Sequence, residues 1–522
     1  MSDRICIIGA GLSGLFSALI IAESGGFVDL VSMMDSERAQ SVLAEGGINA
    51  VLDTMGENDT VWEHIADTLS GGVFLGDESA VRGMCEHAPE LVLRLFSLGV
   101  PFHNEKGKII QRNFGGQKKK RTAFAMSSTG KVIMTALTDE VRKWEQKGNI
   151  TRFPSHELTD IFIRDGVCHG VSIKNIFTGE TRCFSERVII ACGGMSGLFL
   201  GLATGSVKNT GDAQALLFEK GVKFSNLEML QYHPTTISIP GKRLLVTEAA
   251  RGEGGRLFTY KKDGSKWYFM EEKYPELKNL MPRDIVSREM YHAMLDENCQ
   301  GKIYLDMTGI SREVWKNRLS DLREELVRFA GQDPAAEYIE VSPGIHYFMG
   351  GIDVDNYHRT NIANLYASGE CANIYHGANR LGGNSLLGAV YGGYVAAESA
   401  IHDDEVICDR DFKEADEEKN TDRSFDHVLA DILKEGMAIA RSGDSIRSAV
   451  ERLNALSDSE LSVTEKRRVM LSRAFLLSAL ERDESRGAHF RTDYPCRSDS
   501  RYKTVCLFDA ASGNISVGRE NI

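Results

Sequence analysis

Arg4-Ile5-Cys6-Ile7-Ile8-Gly9-Ala10-Gly11-Leu12-Ser13-Gly14-Leu15 is the stretch whose reading decides the fold. Ile5 to Ile8 read as a buried strand running into a G-x-G-x-x-G turn, and an apolar helix follows from Leu12 to about Ala22. Gly9 permits the tight turn, Gly11 lets backbone approach a pyrophosphate, and Gly14 lets helix pack close on strand. The helix N-terminus offers unpaired N–H groups to phosphates, which makes Gly9, Gly11, Ser13 and Gly14 candidate dinucleotide contacts. An ordinary glycine-rich loop would share the spacing. The strand before and the helix after favour the dinucleotide.

Phe27 to Val31 read as the second strand of a βαβ unit. A nicotinamide site expects an acid at its end to hold the ribose hydroxyls. Ser32 stands there, with Asp35 further on, so the NAD reading loses ground. Ala44-Glu45-Gly46-Gly47-Ile48-Asn49-Ala50 is a second glycine turn, where backbone can approach a flat ring. Helical periodicity covers Thr60–Thr68, Glu78–Leu98 and Lys131–Trp144, and Lys106–Arg121 reads as a loop. Ile150–Phe184 reads as a three-stranded meander, and Arg187–Ala191 as a buried strand ending in Cys192-Gly193-Gly194. This is the layout of a large Rossmann-like FAD-binding domain, of α/β class with α+β elements.

Polar-aromatic sequence from about residue 225 reads as an inserted domain, and glycine-rich apolar sequence returns from Ile345 to Ala400. Charge then rises through the acidic runs at 403–405 and 413–419, expected to be a solvated linker, before a helical segment from Ser424 to Leu480. The expected domains are 1–224 and 345–404 for the FAD-binding part, 225–344 for a capping insertion, and 405–522 for a C-terminal helical domain.

At 522 residues the chain exceeds one core, and its net charge of −13 argues against nucleic-acid binding. The basic run Lys118-Lys119-Lys120-Arg121 is expected to be a solvated loop. No stretch has transmembrane length, and Met1-Ser2-Asp3-Arg4 leaves no room for a signal peptide, so a cytoplasmic location is expected. The ten cysteines include no C-x-x-C pair, which suits reduced thiols and excludes a recognisable metal or iron–sulfur motif. Any further redox centre then sits on another polypeptide.

Four runs carry chemistry: Gln231-Tyr232-His233-Pro234-Thr235, Thr247 to Gly255, Pro282-Arg283-Asp284, and His346 to Gly351 continued by Ser368-Gly369-Glu370 and His376 to Leu387. Singly, each has a plain reading: His233 as a turn histidine, His346 as a core histidine, Arg283-Asp284 as a surface ion pair. Together they bring two histidines, several arginines and a threonine into glycine-rich contexts. Arginine forks match carboxylates, so the set suits a small dianion beside a flavin.

These runs resemble the flavoprotein family of succinate dehydrogenase, fumarate reductase and L-aspartate oxidase. The resemblance extends to Gln111 to Gly116, Thr129-Gly130, Asn209 to Asp212, and Glu484 to Pro495. It implies an FAD domain, a mobile capping domain and a C-terminal helical domain. It also implies that His233, Thr247, His346 and Arg380 bind the substrate carboxylates. Arg283 would exchange a proton with substrate carbon, with Glu248 and Arg251 as its relay. Glu45, Gly46, Gly47, Asp212, Glu370, Ser385 and Leu386 would contact the cofactor. Judged by pKa alone, His233 or His346 would be the first choice for acid–base work, because arginine ionises above about 12.

The chain departs from the family in specific places. Membrane-complex members link FAD to a histidine in a Ser-His-Thr run, and Gln40 stands at that position. The resemblance therefore implies non-covalent FAD and a reductive direction, fumarate to succinate or a close dicarboxylate. L-aspartate oxidase is the alternative, since its members also lack that histidine. Against it, Phe114 to Thr122 holds a lysine-rich loop and no carboxylate for a substrate amine. Gly388 replaces an acid usual after Leu386-Leu387, and Lys131 follows Thr129-Gly130 where a histidine or aromatic is common. The expected partners are the dicarboxylate and an iron–sulfur subunit or other electron donor. Direct membrane insertion is not expected, only peripheral attachment to the inner face through a partner.

Overall fold

A computed structural model describes residues 4–126, 128–184, 187–240, 242–403, 423–457 and 460–522. The acidic run 413–419 lies outside them. Strand Arg4–Ile8 is buried from Ile5 onward, as an apolar run covered on both faces should be. It is the centre of a parallel five-stranded sheet in the order Leu365–Ala367, Arg187–Ile190, Arg4–Ile8, Phe27–Ser32, Ile150–Pro154. Helix Leu12–Glu23 is buried from Leu12 to Ala22 and packs on helix Asn384–His402. Close approach is what glycine supplies there: a Cβ on Gly393 would lie 2.6 Å from the Ser13 carbonyl oxygen.

The meander and the basic run need correction. The first strand of the expected meander, Ile150–Pro154, pairs in parallel with Phe27–Ser32. The meander is His156–Arg164, Val167–Asn175 and Thr181–Phe184. The basic run is not wholly solvated either. Arg121 is completely buried, with Nη2 at 2.9 Å from Asp59 and Nη1 at 2.9 Å from Asp67. Two buried aspartates draw the last residue of the run inward, while the Lys118 side chain stays in solvent.

A second sheet is built from Lys242–Leu245, Leu230–Ile239, Ile339–Phe348, Cys299–Asp306, Arg256–Lys261 and Lys266–Trp267. With helices Arg283–Leu295 and Ser320–Ala330 it encloses its own core around Leu257, Val286, Leu305 and Leu322. Strands Leu230–Ile239 and Ile339–Phe348 join the two cores. Leu230, Ile345 and Phe348 belong to the first core, whereas Ile237, Ile339 and Val341 belong to the second. The expected junction at 344/345 thus falls inside a strand.

After residue 422, helices Arg423–Gly436, Gly443–Ser457 and Val463–Glu481 pack into the first core through Leu433, Ile446 and Phe475. The C-terminal stretch is not all helical. Tyr502–Asp509 and Asn514–Asn521 form a hairpin whose first strand pairs with Phe224–Ser225. A buried ion network fastens this region: Arg482 donates to Glu228 at 2.6 Å and to Glu484 at 2.8 Å. Among the described residues, no helix is long and apolar enough to cross a membrane.

Candidate active site

One cavity runs from the first glycine turn to the strand pair that joins the two cores, with Gly9, Gly11 and Ser13 at one end and His233, Arg283 and Arg380 at the other. Its first half fits a dinucleotide. Gly9 has φ +121°, and a Cβ there would lie 2.1 Å from the Ala191 carbonyl oxygen. A Cβ on Gly14 would lie 1.8 Å from the Gly9 carbonyl oxygen, so only glycine allows this strand–helix approach. Gly11 faces the cavity, with nothing nearer a Cβ than Ser41 Oγ at 3.5 Å. Ser13 Oγ lies 2.7 Å from Ser368 Oγ, and Ser32 Oγ donates to the Met34 carbonyl at 2.7 Å.

Further along, Glu45, Gly46, Gly47, Glu370, Ser385 and Leu386 line the same cavity. Among the described residues, Glu45 Oε2 is buried without a hydrogen-bond partner. Burial, then the charge of Glu325, push the Glu45 carboxyl up to about 8 against a hydrogen bond from Thr247. Burial likewise raises Glu370 to about 7, although the Phe348 N–H donates to it at 3.2 Å. Orphaned polar atoms beside crowded glycines are what a long polar cofactor such as FAD would satisfy. Asp212 also lines this cavity, but Arg468 donates to its two oxygens at 2.7 and 3.0 Å, so its carboxylate ties the C-terminal helix to the cofactor domain. Gln40 lines the wall with Oε1 accepting from the Ser206 N–H at 2.6 Å. An amide there has no nucleophilic ring nitrogen to offer a flavin.

At the other end, His233 and His346 stand where the strand pair passes between the cores, with ring centroids 5.2 Å apart. Both are neutral. Burial drives each far below the ordinary histidine value, reinforced for both by the positive charge of Arg283. Thr204 Oγ1 holds His346 Nδ1 at 2.8 Å and so orients the ring. Thr247 caps the short helix Glu248–Gly252. Arg380 is almost completely buried; Nη1 donates to the Leu381 carbonyl at 3.2 Å, and Nε has no partner among the described residues. Burial and the nearby Arg283 lower it to about 9. Among the described residues it has no carboxylate partner, and a buried cation left so is chemically suited to receive an anion.

Arg283, at the first turn of helix Arg283–Leu295, does not pair with Asp284. Its Nε and Nη2 reach Glu248 Oε2 at 2.9 and 2.7 Å, so the surface-pair reading is replaced by a buried pair. Arg251 lies behind Glu248 with Nη2 at 3.8 Å from Oε1, and its Nη1 donates to the Asn279 carbonyl at 2.6 Å. The first link of the expected relay is tight and the second is longer. His233, Thr247, Glu248, Arg283, His346 and Arg380 all face the cavity, and Arg251 does not.

Sequence reasoning assigned no role to Gln231, Thr204 or Tyr347. The Tyr347 ring lies 4.4 Å from the Arg380 guanidinium carbon, a cation–π support. Gln231 and Tyr347 belong to the runs singled out above; Thr204 carries no local signal, because its role comes from a fold contact 142 residues away.

The chain resembles known proteins over nearly its whole length. An FAD binding domain family model matches residues 4–386, and a fumarate reductase flavoprotein C-terminal model matches residues 464–522. The succinate dehydrogenase flavoprotein subunit of Bacillus subtilis (strain 168) is 36% identical over 96% of this chain and 92% of that protein. The 8-methylmenaquinol:fumarate reductase flavoprotein subunit of Wolinella succinogenes is 32% identical, covering 100% of this chain and 91% of that protein. A solved E. coli quinol fumarate reductase flavoprotein variant superposes with a TM-score of 0.88 at 28% identity, covering 100% of this chain and 97% of that one. The chain belongs to the family of succinate dehydrogenase and fumarate reductase flavoprotein subunits, FAD-dependent oxidoreductases.

Proposed function

We propose that this protein interconverts fumarate and succinate, or a close dicarboxylate pair, and works mainly in the reductive direction. The observation that carries the reading is the buried Arg380, without a carboxylate partner among the described residues, facing the same cavity as the Arg283–Glu248 pair. Arg380, with His346, His233 and Thr247, binds the two carboxylates. Neutral imidazoles donate N–H without adding charge, and the single Arg380 cation polarises the carboxylate it holds. Bound FAD supplies the hydride chemistry. Arg283 delivers the proton to the neighbouring carbon. An arginine loses a proton only transiently in a dry pocket, and Glu248, with Arg251 behind it, returns one. Closure of the second domain over the cavity would exclude water and hold Arg283 in place.

Gln40 supports non-covalent FAD, held by the glycine cradle and the polar cavity wall without a covalent tether. Acid precipitation should release the flavin into the supernatant; flavin retained on the polypeptide refutes this. The relatives named above as flavoprotein subunits support a separate electron donor, an iron–sulfur protein by the chemistry expected above, and its co-purification tests that point. The function itself is tested by steady-state assays with reduced artificial dye against fumarate, and with succinate and L-aspartate as donors. Fumarate-dependent dye oxidation is expected. Aspartate-dependent peroxide formation without fumarate reduction overturns the assignment in favour of an L-aspartate oxidase.

A further inference from the structure

We infer that Gln231 is a positioning residue that sets Arg283 for proton delivery and couples it to the carboxylate-binding Arg380, an inference that rests on the reading of the site given above. Gln231 is completely buried and does not face the cavity, so it acts through others. Its Oε1 accepts from Arg283 Nη1 at 3.1 Å. Its Nε2 donates to the Arg380 carbonyl at 2.7 Å and to Asn379 Oδ1 at 2.9 Å. The Asn379 amide in turn donates to the Gly71 carbonyl at 3.2 Å.

Partner chemistry decides which way this amide points. Guanidinium N–H groups only donate, and a carbonyl only accepts, so Oε1 must face Arg283 and the NH₂ must face Arg380. Two acceptors on one side therefore lock the oxygen on the other. That oxygen occupies Arg283 Nη1, while Glu248 takes Nε and Nη2. The guanidinium is held at both ends of its fork.

Gln231 also sits where the strands leave one core for the other, one residue into Leu230–Ile239 and opposite Tyr347 in register. Arg283 belongs to a helix of the second core, whereas Asn379 and Arg380 precede the helix Asn384–His402 of the first. A single amide thus ties the proton donor of one domain to the carboxylate binder of the other. Relative movement of the two cores would act on the Arg283 contact, because Arg283 is carried by a helix of the second core while Gln231 follows Leu230 of the first.

The test compares flavin-loaded wild type, Gln231→Leu and Gln231→Glu in the dye-linked fumarate assay across pH. Gln231→Leu removes all three contacts, and kcat should fall on the order of 10²-fold, the cost of misplacing a catalytic group, with KM changed far less. Gln231→Glu keeps an oxygen toward Arg283 but turns a second acceptor toward the Arg380 carbonyl and Asn379. Protonated, that carboxyl again offers a donor to Arg380, so its kcat should rise as pH falls through the new group's titration. The other charged and titratable groups around it are Arg283, Glu248, Arg251, Arg380, Tyr347, His233 and His346, all present in wild type, which should show no such rise. Should the leucine variant fail to fold, the pH profile of the glutamate variant decides. A kcat within about twofold of wild type in Gln231→Leu, or a Gln231→Glu profile parallel to wild type, overturns the role of Gln231. Wild type inactive toward every dicarboxylate overturns the site reading instead.

Discussion

Glu248 Oε2 accepts two N–H groups of Arg283, at 2.9 and 2.7 Å, while Glu248 Oε1 accepts the backbone N–H of Gly115 at 2.9 Å. One carboxylate therefore joins the helix Arg283–Leu295 to the glycine loop beside the cofactor cavity. The pair is shielded from solvent, so its geometry is set by the fold and not by a mobile surface side chain.

Arg283→Ala should lower kcat for fumarate by about 10²–10⁴-fold, the usual contribution of a positioned proton donor. Flavin content should stay near wild type, because Arg283 lies at the far end of the cavity from the glycine cradle. Steady-state kinetics beside flavin absorbance check both statements; retained turnover removes Arg283 from the proton path.

Glu248→Gln should cost activity and stability together. Burial alone would raise this carboxyl, but the charges of Arg283 and Arg251 and the hydrogen bonds from Arg283 and Gly115 hold it below its ordinary 4.5. The folded state thus binds the proton less well than the unfolded chain. The stabilisation is complete above 4.5 and is lost as pH falls through the folded value. Stranding the two arginines should destabilise the variant by ~3–5 kcal/mol at neutral pH. Chemical denaturation at several pH values would show the gap to wild type closing only in strong acid.

Glu45 predicts the opposite slope. Its carboxyl is raised to about 8 by burial first and by Glu325 second. Folding therefore favours its protonated form, and stability should fall as pH climbs from the ordinary 4.5 toward 8, then level off. Cofactor-stripped Glu45→Gln protein should show a shallower decline over that window in thermal melts, and an unchanged slope would show that Glu45 is not the titrating group.

Gly14→Ala should abolish flavin binding. The added Cβ would lie 1.8 Å from the Gly9 carbonyl oxygen, so the helix must move off the strand and the phosphate-binding turn with it. Gly25→Ala is the control at a position with open space, although its φ of +90° makes it mildly strained. Flavin-to-protein ratios after purification distinguish the two variants.

The local order of residues determined the strand–turn–helix at Arg4–Glu23, the buried strands at Phe27–Ser32 and Arg187–Ile190, and the runs that hold His233, Glu248, Arg283, His346 and Arg380. Period and glycine spacing are local properties, so they survive in a one-dimensional reading. Pairings between distant segments are not local. Ile150–Pro154 has the same β-rich composition whether it joins the meander or the parallel sheet, and the choice belongs to the exposed edge of Phe27–Ser32. Lys118 to Arg121 read alike as cations, yet Asp59 and Asp67 bury only Arg121. Arg283 stands next to Asp284 in sequence, but the helix aims it at Glu248, 35 residues away. Gln231 looked like the first letter of a motif. Only the approach of Arg283 and Arg380 from two cores gave its amide one possible orientation, because donors and acceptors must face each other once water is excluded.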